Sequence, residues 1–165
     1  MRDRVSVDSV AFARDASELR AVVAIAELLR LHDALFDQSG EIAYRLAGTV
    51  DKDGVASLRL DIAADLLMTC QRCLGPVNVS VKSARKFILV PQSHALGDPA
   101  DEPADVERIH ADTELDVAML VEDEAILALP MVAGHEPGEC SPPVAAGSED
   151  SRKSPFSALS VLKRQ

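Results

Sequence analysis

The sequence predicts an α+β fold: an antiparallel β-meander sheet packed by two helices, followed by a flexible C-terminal tail. Three observations predict it. Apolar and polar residues alternate with period two through three successive segments between residues 42 and 89. Two stretches, residues 16–31 and 113–130, carry helical spacing. Beyond residue 140 the chain turns to Ser, Pro, Ala and scattered charge. A length of 165 residues with 47 % hydrophobic content suffices for one core. The expected organisation is a single domain over 1–140 and a tail over 141–165 that ends in a short helix.

Each element has its own signal. Asp15 with Glu18 three residues later resembles a capping box, and Leu19, Val22, Val23, Ala26 and Leu29 follow at helical spacing. A first helix is therefore expected over 16–31, ended by Asp33, Asp37, Ser39 and Gly40. Ile42, Tyr44, Leu46 and Val50 then alternate with Ala43, Arg45, Ala47 and Thr49 as in a half-buried strand, and Asp51-Lys52-Asp53-Gly54 supplies a turn. The strongest alternation follows, with Leu58, Leu60, Ile62, Ala64, Leu66, Met68 and Cys70 on one face. After the tip Cys70-Gln71-Arg72-Cys73-Leu74-Gly75-Pro76 the pattern resumes with Val77, Val79, Val81, Phe87 and Leu89 against Asn78, Ser80, Lys82 and Lys86. Arg85 falls on the apolar parity, which suggests a frayed edge or a bulge.

Residues 91–105 are acidic and rich in Pro, so they read as a solvated loop, and His94 and His110 as surface residues. Val106 and Ile109 suit one more short strand. Thr113 with Asp116 marks a helix start and Pro130 its stop. On that helix Leu115, Ala118, Met119, Ala125, Ile126 and Leu129 form a stripe that includes Glu122. A carboxylate on a core face requires a partner, because burying an unpaired charge costs several kcal/mol, about the scale of a whole ion's desolvation. Arg72 is the candidate cation; the alternative is that this part of the stripe lies at the domain edge and Glu122 is wet. In the tail, Ser154-Pro155 can open a helix whose Phe156, Leu159 and Leu162 share one face, with Lys163 and Arg164 at its end. Such a segment suits docking onto a partner or onto the body of the protein, with a frayed tail as the alternative.

Charge separates the functional classes. The formal net charge is −10 with 3 % aromatics and no Trp, which argues against a general nucleic-acid binder. The distribution is two-sided: residues 67–97 contain no acid but carry Arg72, Lys82, Arg85 and Lys86, whereas eleven acids between Asp98 and Glu124 face Arg108 alone. The N-terminal residues show no apolar leader and no stretch has the length of a membrane span, so a cytoplasmic protein without membrane contact is expected.

Three cysteines, two as C-x-x-C, favour metal or redox chemistry over a disulfide scaffold. Zinc takes four Cys or His ligands in a tetrahedron, so Cys70 and Cys73 at a hairpin tip, with Gly75 allowing the bend, could be completed by His135 and Cys140 into one structural site. Reduced unligated thiols are the alternative. Redox chemistry is less favoured, because an activated thiolate usually sits at a helix N-terminus and Cys70 ends a strand. No G-x-S-x-G, Walker loop or G-x-G-x-x-G is present, and Glu122, Asp123 and Glu124 diverge around a helix. The chain therefore does not read as an enzyme, and no small-molecule substrate is implied.

Four ordered features, Cys70-Gln71-Arg72-Cys73, the run Leu120 to Pro130, the pair His135 and Cys140, and the ending Pro155 to Lys163, resemble the YceD family of large ribosomal RNA subunit accumulation proteins. The resemblance covers roughly residue 40 to the C-terminus. It implies a bacterial cytoplasmic role in synthesis, processing or stability of 23S rRNA, without catalysis. Some relatives are richer in cysteine where this chain has His135 to Cys140, which favours the metal reading. Two modes of action follow. One is an adaptor that binds a ribosome-assembly protein or large-subunit precursor through Glu122, Asp123 and Glu124 and through Phe156, Leu159 and Leu162. The other is direct rRNA binding by a ribbon of Arg72, Lys82, Arg85 and Lys86. Composition favours the adaptor, because four cations against a net −10 give a weak, salt-sensitive contact.

Overall fold

The computed structural model describes residues 5–98, 100 and 103–140. The tail over 141–165, including Phe156, Leu159 and Leu162, lies outside the described residues. Elements run β1 (Ser6–Val7), α1 (Ser9–Arg14), β2 (Glu18–Ala24), β3 (Glu41–Val50), β4 (Ala56–Thr69), β5 (Pro76–Val90), β6 (Val106–His110), β7 (Leu115–Asp116) and α2 (Val117–Ala128). Short 3₁₀ turns at Ile25–Glu27 and His32–Ala34 lie between β2 and β3.

The expected three-stranded meander is present as β3, β4 and β5. The β4–β5 register runs unbroken from Ser57 opposite Ile88 to Thr69 opposite Pro76. Arg85 therefore sits in regular strand, not at a bulge or a frayed end. The sheet is wider than the meander, with order β2-β3-β4-β5-β6, and it is mixed, because β6 runs parallel to β5. A parallel neighbour needs a connection long enough to return to the same end, and residues 91–105 supply one.

The expected first helix over 16–31 is replaced by strand. Asp8, not Asp15, caps a helix: its Oδ1 accepts from the Val10 and Ala11 N–H groups at 3.0 and 2.9 Å. Asp15 closes that helix, and Ala16 at φ +48° turns the chain into β2. Within β2 the inward residues are Leu19, Ala21 and Val23, while Val22 faces out. Period two and a β-branched pair thus prevailed over helical spacing, since pairing with β3 satisfies the backbone.

Helix α1 crosses β3 at Gly48, which is buried. A Cβ there would lie 2.7 Å from Ala13 Cα and closer still to the Phe12 carbonyl. Both neighbours are backbone and cannot rotate away. Gly48→Ala is therefore expected to destabilise by about 1–3 kcal/mol, the usual cost of overpacking, read as a lower urea midpoint with unchanged slope. A neutral result would mean that α1 does not rest on β3.

Helix α2 is capped by Asp116, whose Oδ1 accepts from Ala118 and Met119 N–H at 2.9 and 3.1 Å, so the start lies later than Thr113. Besides Glu122, which is also buried, its buried face is Val117, Leu120, Val121, Glu124 and Ala125. That is i, i+3, i+4, i+7 and i+8, a stripe rotated from the expected one, and Met119 is left 50 % exposed. The main core joins this face and α1 to the inner side of β2–β5, with Ile25, Leu28 and Leu31 closing one end. At about 3.3 Å per residue, β4 and β5 reach past that core. Their far end builds a second small cluster of Met68, Cys70, Val77 and Ala133.

Candidate metal centre

Cys70 is the first residue beyond the inward run of β4, so it inherits the buried face and has no exposed surface. The chain then reverses tightly. The Leu74 N–H donates to the Cys70 carbonyl at 2.9 Å, and the Cys70 N–H to the Gly75 carbonyl at 2.8 Å. The left-handed residue of this reversal is Leu74 at φ +60°, not Gly75. The C-x-x-C spacing thereby turns both thiols to one side of the hairpin tip.

The second half arrives after α2. Its last turn ends at Leu129, Pro130 prevents continuation, and the Ala133 carbonyl accepts from the Gln71 N–H at 2.9 Å. That single backbone bond fixes the segment that carries His135 and Cys140 against the tip. All four ligand atoms of Cys70, Cys73, His135 and Cys140 lie within 4.8 Å of one another. Cys70 Sγ is 3.9 Å from Cys140 Sγ, and Cys73 Sγ is 3.6 Å from His135 Nδ1. With Zn–S near 2.3 Å and Zn–N near 2.0–2.1 Å, a tetrahedron has S···S edges of about 3.8 Å and S···N edges of about 3.6 Å. The donor set and its spacing fit such an ion.

Electrostatics point the same way. The Cys70 thiol is held down to about 5, chiefly by the backbone N–H of Cys73, then by those of His135 and Arg72, all of which favour the thiolate. For Cys73 the Gly75 N–H pulls the thiol down, but burial and the nearby Cys140 and Cys70 sulfurs outweigh it and the net direction is up. Three sulfurs so close cannot all ionise without a cation among them. One cation is already at the rim: Arg72 Nε donates to Cys140 Sγ at 3.1 Å, and its Nη2 donates to the His135 and Glu136 carbonyls at 3.3 and 3.0 Å. Three thiolates around a dication leave one net negative charge, and the guanidinium lies against it.

Arg72 is thus not the partner of Glu122. Glu122 is 6 % exposed and accepts from the Arg30 backbone N–H at 2.7 Å and from Arg30 Nε at 2.9 Å. Arg30 Nη1 also reaches Asp123 at 2.6 Å. Sequence reasoning placed Arg30 at the end of a helix and missed this role. Glu124, 2 % exposed, accepts from Arg85 Nε at 2.6 Å and from the Ser83 hydroxyl. Only Asp123 of the three expected acidic contacts faces solvent. The four-membered basic ribbon is likewise divided: Lys82 and Lys86 share the open face of the sheet, Arg85 points inward to Glu124, and Arg72 lies at the sulfur cluster. The arginine on the apolar parity of β5 was visible in the sequence, but the acid read on the helix core face was Glu122, so Glu124 as the partner of Arg85 was missed.

The family model described as large ribosomal RNA subunit accumulation protein YceD matches residues 58–163, which spans β4 through both halves of the cysteine cluster. The large ribosomal RNA subunit accumulation protein YceD of Haemophilus influenzae is 26 % identical over 173 residues, covering 98 % of this chain and 96 % of that protein. No solved structure matches the chain. With the family model covering well over half of its length, this chain belongs to the YceD family.

Proposed function

We propose that this protein is a non-enzymatic ribosome biogenesis factor of the bacterial cytoplasm that supports accumulation of 23S rRNA. The observation that carries the reading is the family match over residues 58–163, joined by a relative named for that role along nearly the whole chain. The Cys70, Cys73, His135 and Cys140 cluster serves in this reading as a structural zinc clasp that fixes the segment after α2 to the hairpin tip. Among the described residues no helix is long and apolar enough to cross a membrane.

The factor acts as an adaptor that binds a ribosome-assembly protein or large-subunit precursor. Support comes from charge: of the cations once grouped as a ribbon, Arg85 and Arg72 are engaged internally, so Lys82 and Lys86 alone remain as an rRNA-facing pair on a chain of net charge −10. Binding of purified protein to 23S rRNA fragments across a salt series tests this. Weak binding with a shallow slope is expected. Submicromolar affinity with a steep slope, lost in Lys82→Ala/Lys86→Ala, would replace the adaptor by direct rRNA recognition. The role itself is tested by depletion, which is expected to lower 23S rRNA relative to 16S rRNA, and an unchanged ratio would refute it.

A further inference from the structure

We infer that the C-terminal segment 155–163 docks in cis, as a helix, into the groove between α2 and β6. The groove holds about 320 Å³. Phe87 and Ile109 form its sheet side, Leu120, Glu124, Ile126 and Leu127 its helix side, and Glu107, Asp123 and Arg30 lie on its rim. It runs along the last strand of the sheet, with no element described beyond β6. On the helix side Leu127 is 65 % exposed, an apolar residue where solvent would favour charge. Isolated exposed apolar residues are ordinary, but Leu127 beside Phe87, Ile109 and Ile126 makes a continuous apolar surface shaped to receive another element.

The occupant is specified by three observations. First, Phe156, Leu159 and Leu162 fall at i, i+3 and i+6, the spacing by which a short helix lays one apolar face into a groove. Second, the charges are complementary. Residues 141–165 carry Arg152, Lys153, Lys163 and Arg164 against Glu149 and Asp150, a net +2, so the rest of a chain whose total is −10 carries −12. The basic end of the segment meets Glu107 on a rim where Asp123 is already paired with Arg30. Third, the family match continues without interruption from the sheet through residue 163, so the segment belongs to the same matched unit as the groove. Reach is no obstacle: the fourteen residues 141–154 extend up to about 50 Å, about the length of the longest strand. A helix this short is marginal alone in water, and burial of three large side chains is what would hold it.

The chain contains no Trp, which makes a single reporter possible. Phe156→Trp in the full-length protein is expected to give blue-shifted emission, protected from acrylamide relative to a free peptide of residues 150–165 carrying the same change. The signal should be independent of protein concentration. Leu127→Asp, at an exposed site that leaves the core untouched, should weaken docking by at least about tenfold and return the emission to that of the peptide. Matching far-UV circular dichroism and melting of the Leu127→Asp and parent proteins establish that the fold is intact. Peptide-like emission in the parent, a blue shift that Leu127→Asp leaves unchanged, or one that disappears on dilution would each overturn docking in cis at this groove. The last would assign the segment to a second copy.

Discussion

Arg85→Ala is expected to cost the fold about 3–5 kcal/mol, because it strands a buried carboxylate. Glu124 sits in the middle of the helix face that packs on the sheet, and among the described residues its acceptors are filled by Arg85 and the Ser83 hydroxyl from β5. Removing the cation leaves the carboxylate desolvated with a single neutral donor. Urea unfolding should show a lower midpoint with an unchanged slope. Replacing both partners by apolar side chains, Arg85→Met with Glu124→Met, should recover most of the loss, since it removes the desolvation penalty along with the attraction. If Arg85→Ala costs no more than an exposed ion pair, about 1 kcal/mol or less, the pair does not hold α2 on the sheet. The Arg30 contacts with Glu122 and Asp123 are more exposed on the cationic side and should matter less.

Cys73→Ser is expected to abolish tight metal binding and to free the segment after α2 from the hairpin tip. Loss of one of four ligands should lower zinc affinity by well beyond the roughly 10–100-fold that follows loss of a group that only hydrogen-bonds to a ligand. Arg72→Gln is such a loss, since Arg72 touches Cys140 Sγ and two carbonyls of the same segment. It should fall within that lesser range. Competition with a chromogenic chelator ranks wild type, Arg72→Gln and Cys73→Ser in that order of decreasing affinity. Hydrogen exchange should rise first at Gln71, whose N–H is bonded to the Ala133 carbonyl. Equal affinities for Arg72→Gln and wild type would show that the guanidinium does not offset the charge of the site.

The meander was legible because long half-buried strands write their geometry directly into the sequence: each change of parity between Leu58 and Leu89 appears as burial or exposure. The strand Glu18–Ala24 was misread because Leu19, Val22 and Val23 satisfy helical spacing too, and over seven residues only the partner strand decides. The cluster of Cys70, Cys73, His135 and Cys140 was legible from residue type and from Pro130, which ends α2 and sends the chain back toward the tip. The sequence did not reveal which cation meets which acid. Glu122 could be seen to need a partner, but Arg30 reaches it only because the chain between β2 and β3 folds over α2. That is a property of the tertiary path and has no local signal.

The most direct measurement is the mass of the intact protein under native conditions, purified without an affinity tag or chelator, together with its elemental content. One zinc per chain, lost in Cys73→Ser and released by chelation with loosening of the segment after α2, is the expected result. Metal-free protein whose three thiols all react with a thiol reagent in the folded state would contradict the clasp, and would leave the Gln71 to Ala133 bond and the Arg72 contacts as what holds the tip.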